Sequence, residues 1–142
     1  MKKNRIICVG NSLVAADAAG IQVFNELCSG SYCHHVEIVN GGLGGMDLLP
    51  YFYDCDTVVL VDQMVGFAEP GTVARLDWEE VCADWQSACI PSGELLYLLK
   101  SLPFLGMSPL PTICIIGIEG EGEGETIKRA ADMALEIVRG TP

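Results

Sequence analysis

Basic side chains are scarce. Eight Lys and Arg stand against nineteen Asp and Glu in 142 residues, a formal net charge of −11. That balance repels phosphate backbones and anionic membrane surfaces at long range, which excludes nucleic acid as a natural partner and favours a basic protein surface, a cationic segment or a metal-loaded partner. Long apolar runs are also missing, although half of the residues are hydrophobic. The richest stretch, Leu95 to Ile118, is cut by Lys100, Pro103, Pro109 and Pro111, so it reads as core helix, loop and strand and not as a membrane span. Behind Lys2-Lys3 the apolar segment ends at Gly10-Asn11, too early for a signal peptide. The seven cysteines include no CxxC pair and no zinc-finger spacing. Their odd number and their places inside apolar runs fit free thiols in a reducing cytoplasm, where the protein is expected to reside. Histidine is limited to His34 and His35.

The remaining pattern alternates strands and helices. Arg5 to Val9, Val36 to Val39, Thr57 to Val61 and Ile113 to Ile118 are short apolar or β-branched runs that suit strands covered on both faces, and Thr72 to Leu76 suits an edge strand. Helical spacing marks Ala15 to Leu27, Met46 to Tyr53, Glu94 to Leu102 behind a Ser92 cap, and Thr126 to Val138. The expected fold is a single α/β domain over residues 1–142, a three-layer sandwich whose mostly parallel twisted sheet carries helices on both faces. In such sheets ligands bind beyond the carboxyl ends of the strands. That directs attention to the loops at Gly10 to Asp17, Asn40 to Gly45, Asp62 to Gly71 and Glu119 to Glu125.

Asp17 follows the first strand and Asp62 ends the third, so their carboxylates are placed to converge over neighbouring strand ends. There they can bind a cation or share acid/base work. Singly, each is an ordinary turn or helix-start residue. Gly10-Asn11-Ser12 lacks the remaining glycines of a dinucleotide fingerprint, and Gly41-Gly42-Leu43-Gly44-Gly45 lacks the Lys-Ser/Thr of a P-loop, so nucleotide binding is a weak alternative. The acidic run Glu119 to Glu125 has no EF-hand pattern and is expected to be a solvated, mobile loop. His34 and His35 precede the second strand, at the wrong end of the sheet to serve the site.

Taken in order, Val9-Gly10-Asn11-Ser12-Leu13 with Asp17 and Gly20, Gly41-Gly42-Leu43-Gly44-Gly45-Met46-Asp47-Leu48-Leu49, Val59-Leu60-Val61-Asp62 with Gly66 and Pro70-Gly71, Glu94-Leu95-Leu96, and Ile115-Ile116-Gly117-Ile118-Glu119 resemble the [NiFe]-hydrogenase maturation endopeptidases. The resemblance spans nearly the whole chain. It implies a phosphorylase/hydrolase-like sandwich and an enzyme that removes a C-terminal extension from the hydrogenase large-subunit precursor once nickel is in place. By the same resemblance Asp17 and Asp62 are the catalytic carboxylates and reach the nickel, which the substrate protein brings. Gly10, Asn11, Gly42, Gly44 and Gly45 would face the substrate. A monomer or weak homodimer is expected, with no nucleic acid or membrane partner.

Two positions depart from the family. Its first loop usually carries two consecutive acids where this chain has Ala16-Asp17. Its third metal-contacting residue is a histidine before the Glu-Leu-Leu helix, and counting back from Glu94 puts Ala88 there, or Cys89 with a one-residue shift. A Cys89 thiolate is a possible third ligand toward nickel. The alternative is a non-catalytic relative that binds the precursor or its metal without cutting.

Overall fold

The computed structural model describes residues 3–30, 36–83 and 93–140. Five strands, β1 (Lys3–Cys8), β2 (Val36–Asn40), β3 (Cys55–Met64), β4 (Val73–Asp77) and β5 (Thr112–Glu119), form one sheet in the order β2-β1-β3-β5-β4. The first four positions of that order pair in parallel and β4 joins β5 antiparallel at the edge. β-branched residues dominate β3 and β5, and from Thr57 to Met64 every residue of β3 is buried, as befits a strand covered on both sides.

Alternation along β3 divides the core. Val59 and Val61 face α1 (Ala19–Ser29) and α4 (Gly124–Gly140), in a layer that includes Val23, Leu27, Ala130 and Ala134. Val58, Leu60 and Met64 face the opposite layer. It is built from the 3-10 segment Met46–Phe52, α2 (Trp78–Ala83) and α3 (Gly93–Ser101), with Leu48, Phe52, Val81, Leu95, Leu98 and Leu99 in its interior. The three-layer sandwich expected from the alternation of elements is therefore the architecture found.

Three local differences have physical causes. The helix expected from Ala15 is broken into a 3-10 turn, Ala15–Asp17, and α1 from Ala19, because the first α1 amide is taken by Gln63 Oε1 at 2.9 Å instead of by a residue of its own chain segment. Met46–Phe52 is 3-10 with Pro50 inside it; proline removes the donor that a continuous α-helix requires there. α2 was not evident from periodicity; Asp77 Oδ1 accepts from the Glu79 amide at 2.8 Å at its start. Ser92, Ala88, Cys89, His34 and His35 lie outside the described residues.

Candidate functional site

The chain passes from β1 outward to β2 and then back across β1 to β3, which makes the carboxyl ends of β1 and β3 the switch point where such sheets open a crevice. The loops above it are bonded to one another. Val9 donates to the Val61 carbonyl at 2.9 Å, Gly10 to the Gly42 carbonyl at 2.7 Å, Gly41 to the Cys8 carbonyl at 2.7 Å and Asn11 to the Asp17 carbonyl at 2.7 Å. Close approach dictates the glycines. A Cβ on Gly10 would lie 2.4 Å from the Asp17 carbonyl oxygen, and one on Gly20 would lie 1.9 Å from that of Val9. Gly10 thus admits the return of the first loop, and Gly20 lets α1 sit directly on the strand ends.

Asp17 and Asp62 occupy this place from different directions. The turn Ala15–Asp17 packs against β3, and Asp17 is part-exposed at the foot of α1. Asp62 is fully buried. By alternation it shares the face of Leu60 and Met64, and it lies in register with Gly117. β3 continues through Met64, so Asp62 is two residues inside the strand's end and not its last residue. Asp62 is thus enclosed within the central strand, and Asp17 is part-exposed on a turn packed against that strand.

Of the glycine-loop positions expected to face a substrate, Gly42 lines a cleft of about 340 Å³ with Gly10, Asn11 and Leu43. Its amide is held by Asn40 Oδ1 at 3.0 Å. Gly44 turns inward, at φ +78° and against Val9 and Leu95, and so fixes the loop to the start of α3. Gly45 precedes the 3-10 segment and its carbonyl accepts from the Leu48 amide at 3.0 Å. Among the described residues no three His, Cys, Asp or Glu side chains come together as a metal cage. A metal site built on Asp17 and Asp62 therefore needs a ligand from elsewhere.

Two side chains escaped sequence reasoning. Gln63 joins β3 to the first amide of α1, and so sets the position of the turn that bears Asp17. Glu119 corrects the expectation of a solvated acidic loop: it belongs to β5, is buried, and its Oε1 accepts from the Phe67 and Ala68 amides at 2.8 and 3.1 Å. It anchors the chain that leaves β3. Glu121, Glu123 and Glu125 are exposed, as expected. The described cysteines Cys8, Cys28, Cys55, Cys82 and Cys114 are free, and burial pushes the thiols of Cys8, Cys55 and Cys82 up, which suits inert packing residues.

Desolvation raises the Asp17 carboxyl above its ordinary value. A raised folded-state pKa means that the native state binds the proton more tightly, so ionised Asp17 costs stability above that pKa. The cost is lost as pH falls through it. Asp17→Asn is accordingly expected to melt at or slightly above the wild-type temperature at pH 7, with the advantage gone below the ordinary Asp value of 3.8. Thermal melts at pH 7 and pH 3 check this; a large fall in melting temperature at pH 7 would make Asp17 a structural capping residue.

Comparison with known proteins agrees with the fold. The sequence model of the family described as hydrogenase maturation protease matches residues 21–139, a stretch that includes Asp62 and begins just after Asp17. The hydrogenase 2 maturation protease of Escherichia coli is 30% identical over 142 residues, covering 94% of this chain and 86% of its own. The solved structure of the hydrogenase maturating endopeptidase HybD from E. coli superposes with a TM-score of 0.72 at 27% identity, covering 96% of this chain and 89% of that one. The [NiFe] hydrogenase maturation protease HybD from Thermococcus kodakarensis shares the fold, with a TM-score of 0.69 at 19% identity over 97% of each chain. No helix among the described residues is long and apolar enough to cross a membrane. This chain belongs to the hydrogenase maturation protease family.

Proposed function

We propose that the protein is an endopeptidase that removes the C-terminal extension of a [NiFe]-hydrogenase large-subunit precursor after nickel insertion. The observation that supports this is a fully buried carboxylate, Asp62, in the central strand of a hydrogenase maturation protease fold, with the turn that bears Asp17 packed against the same strand. Nickel brought by the precursor would supply Lewis-acid chemistry, polarising the scissile carbonyl or lowering the pKa of a water. Asp17, the more exposed of the two carboxylates, would supply an oxygen ligand to the metal-bearing segment. Asp62 would supply a second oxygen ligand, and either carboxylate could accept the proton of the attacking water as it adds to the carbonyl. The net chemistry is hydrolysis of one peptide bond.

The test is incubation of the purified protein with nickel-loaded precursor, with the product weighed by mass spectrometry. Loss of the extension's mass is expected. A precursor that binds but stays uncut would establish the second reading, a non-catalytic partner, which the lack of a histidine counterpart at Ala88 or Cys89 favours.

Cys89 is proposed as the substitute third ligand. Cys89→Ser should then weaken nickel-dependent recognition and lower cleavage, since a neutral hydroxyl is a poorer nickel ligand than a thiolate. If Cys89 only packs, the change costs about 1 kcal/mol of stability and spares recognition. Ala88→His should in that case raise nickel affinity by restoring an imidazole. Calorimetry with nickel and cleavage of the loaded precursor, run on both variants, decide between these outcomes; no change in either variant would remove the segment from the metal site.

A further inference from the structure

Asp62 and Gln63 are consecutive in β3, so their side chains leave the strand on opposite faces. Asp62 enters the layer of Leu60 and Met64, and Gln63 the layer that Val59 and Val61 share with α1. Gln63 is only 8% exposed, and its Oε1 accepts from the Ala19 amide at 2.9 Å. The neighbour of one carboxylate thus holds the start of the helix two residues beyond the other.

Nothing nearer in the chain makes this bond. The residue at the N-cap of α1 is Ala18, which has no side-chain acceptor, and the Ala15–Asp17 turn has no side-chain cap at Val14 either. A helix that needed only a cap would be served by Ser, Thr, Asp or Asn at position 18. Here the acceptor stands on β3 instead, 44 residues away. Gln63 also lies beyond the last β1–β3 pair, Cys8 with Val61. At its level the side chain, and not a backbone ladder, ties the central strand to the first loop. The loop transmits that tie, because the Asp17 carbonyl accepts from the Asn11 amide at 2.7 Å and Gly20 sits on the Val9 and Val61 carbonyls with no room for a Cβ.

We propose that Gln63 is a positioning residue of the processing reaction: by tying the start of α1 to β3, it fixes where Asp17 stands relative to Asp62. The inference rests on the endopeptidase function proposed above, and in it Gln63 touches neither metal nor peptide. Without the tie both carboxylates are still present, but one of them is misplaced. A displacement of about 1 Å at a reacting centre costs on the order of 100-fold in rate.

The test uses the full chain and a nickel-loaded large-subunit precursor, at a temperature well below the melting point of every variant. Gln63→Leu should lower kcat roughly 10- to 100-fold, with a smaller change in KM, because the loss falls on geometry at the reacting bond. Gln63→Glu keeps an oxygen for the Ala19 amide and should hold kcat within about fivefold of wild type. Gln63→Leu combined with Ala18→Ser gives α1 a local cap without the tie to β3. Its kcat should stay as low as that of Gln63→Leu alone. Should Gln63→Leu fail to fold, Gln63→Asn, whose shorter amide does not reach Ala19, replaces it in both variants. Wild-type kcat in the single variant overturns the proposal. Wild-type kcat in the double variant does so too, by reducing Gln63 to a helix cap, as does an equal loss in Gln63→Glu and Gln63→Leu. In each of these cases the endopeptidase function stands. A precursor left uncut by the wild type refutes the endopeptidase function and the positioning role together.

Discussion

Asp62→Asn is expected to lower precursor processing by about 10²- to 10⁴-fold, the range that loss of a positioned acid/base group produces, while the protein remains folded. The side chain is fully enclosed in a strand whose neighbours Leu60, Val61 and Met64 are themselves buried, and Asn has nearly the same volume. Packing is thus conserved. What is lost is the negative charge, which counts for more at a fully buried position than it would at the surface because the effective dielectric there is lower. Melting temperature within a few degrees of wild type, together with loss of the shortened product in the mass spectrum, is the expected pair of results. Processing within tenfold of wild type would remove Asp62 from the chemistry, and family membership would stand unaffected.

The four parallel strands were legible because each contains a run of β-branched or aliphatic residues, closed by Gly10 after β1, Asn40 at the end of β2 and an acid, Asp62 or Glu119, after the runs in β3 and β5. Thr57 to Val61 is the plainest, and the structure only extends it, to Cys55–Met64. The edge strand near Thr72 was readable from its turn residues, and its antiparallel direction follows from the short connection Val65 to Thr72, which is too brief for a parallel crossover. Less legible was everything that depends on a partner distant in sequence. The break between Asp17 and α1 is set by Gln63, 44 residues away, and no local periodicity encodes that bond. Glu119 looked like the first of four solvated acids because its neighbours Glu121, Glu123 and Glu125 share its spacing. Its burial is decided by two amides of the loop after β3.

The candidate site was legible to the same degree. Asp17 and Asp62 could be placed at the carboxyl edge from their positions after β1 and in β3. That one would be part-exposed and the other wholly buried was not readable. The difference arises from tertiary covering of β3 on both faces, and it gives the two carboxylates unequal access to an incoming ligand.

Gly20 provides the largest expected effect on stability. In an exposed helix Gly→Ala stabilises by about 1 kcal/mol, because alanine has less backbone freedom to lose on folding and the best helix propensity. Here the sign should reverse. A Cβ at position 20 would meet the Val9 carbonyl oxygen at 1.9 Å and the Val61 carbonyl oxygen at 3.1 Å. Both are backbone atoms, one just past the end of β1 and one in β3, and cannot turn aside as a flexible side chain would. Either α1 lifts off the sheet, exposing Val23 and Leu27, or the ends of β1 and β3 shift. A loss of roughly 3 kcal/mol or more is expected, toward the upper end of what single substitutions produce, with a fall in melting temperature of about 6–12 °C for a domain of this size. Processing should fall even well below the melting temperature, because the turn that carries Asp17 lies only three residues upstream and moves with α1. Gly30→Ala is the control: Gly30 has a negative φ of −101° and a Cβ there would make only ordinary contacts at 3.9 Å, so it should melt at or near the wild-type temperature and process normally. Equal melting temperatures for Gly20→Ala and Gly30→Ala would show that α1 does not press on the strand ends, and the placement of Asp17 over β3 would lose its structural basis.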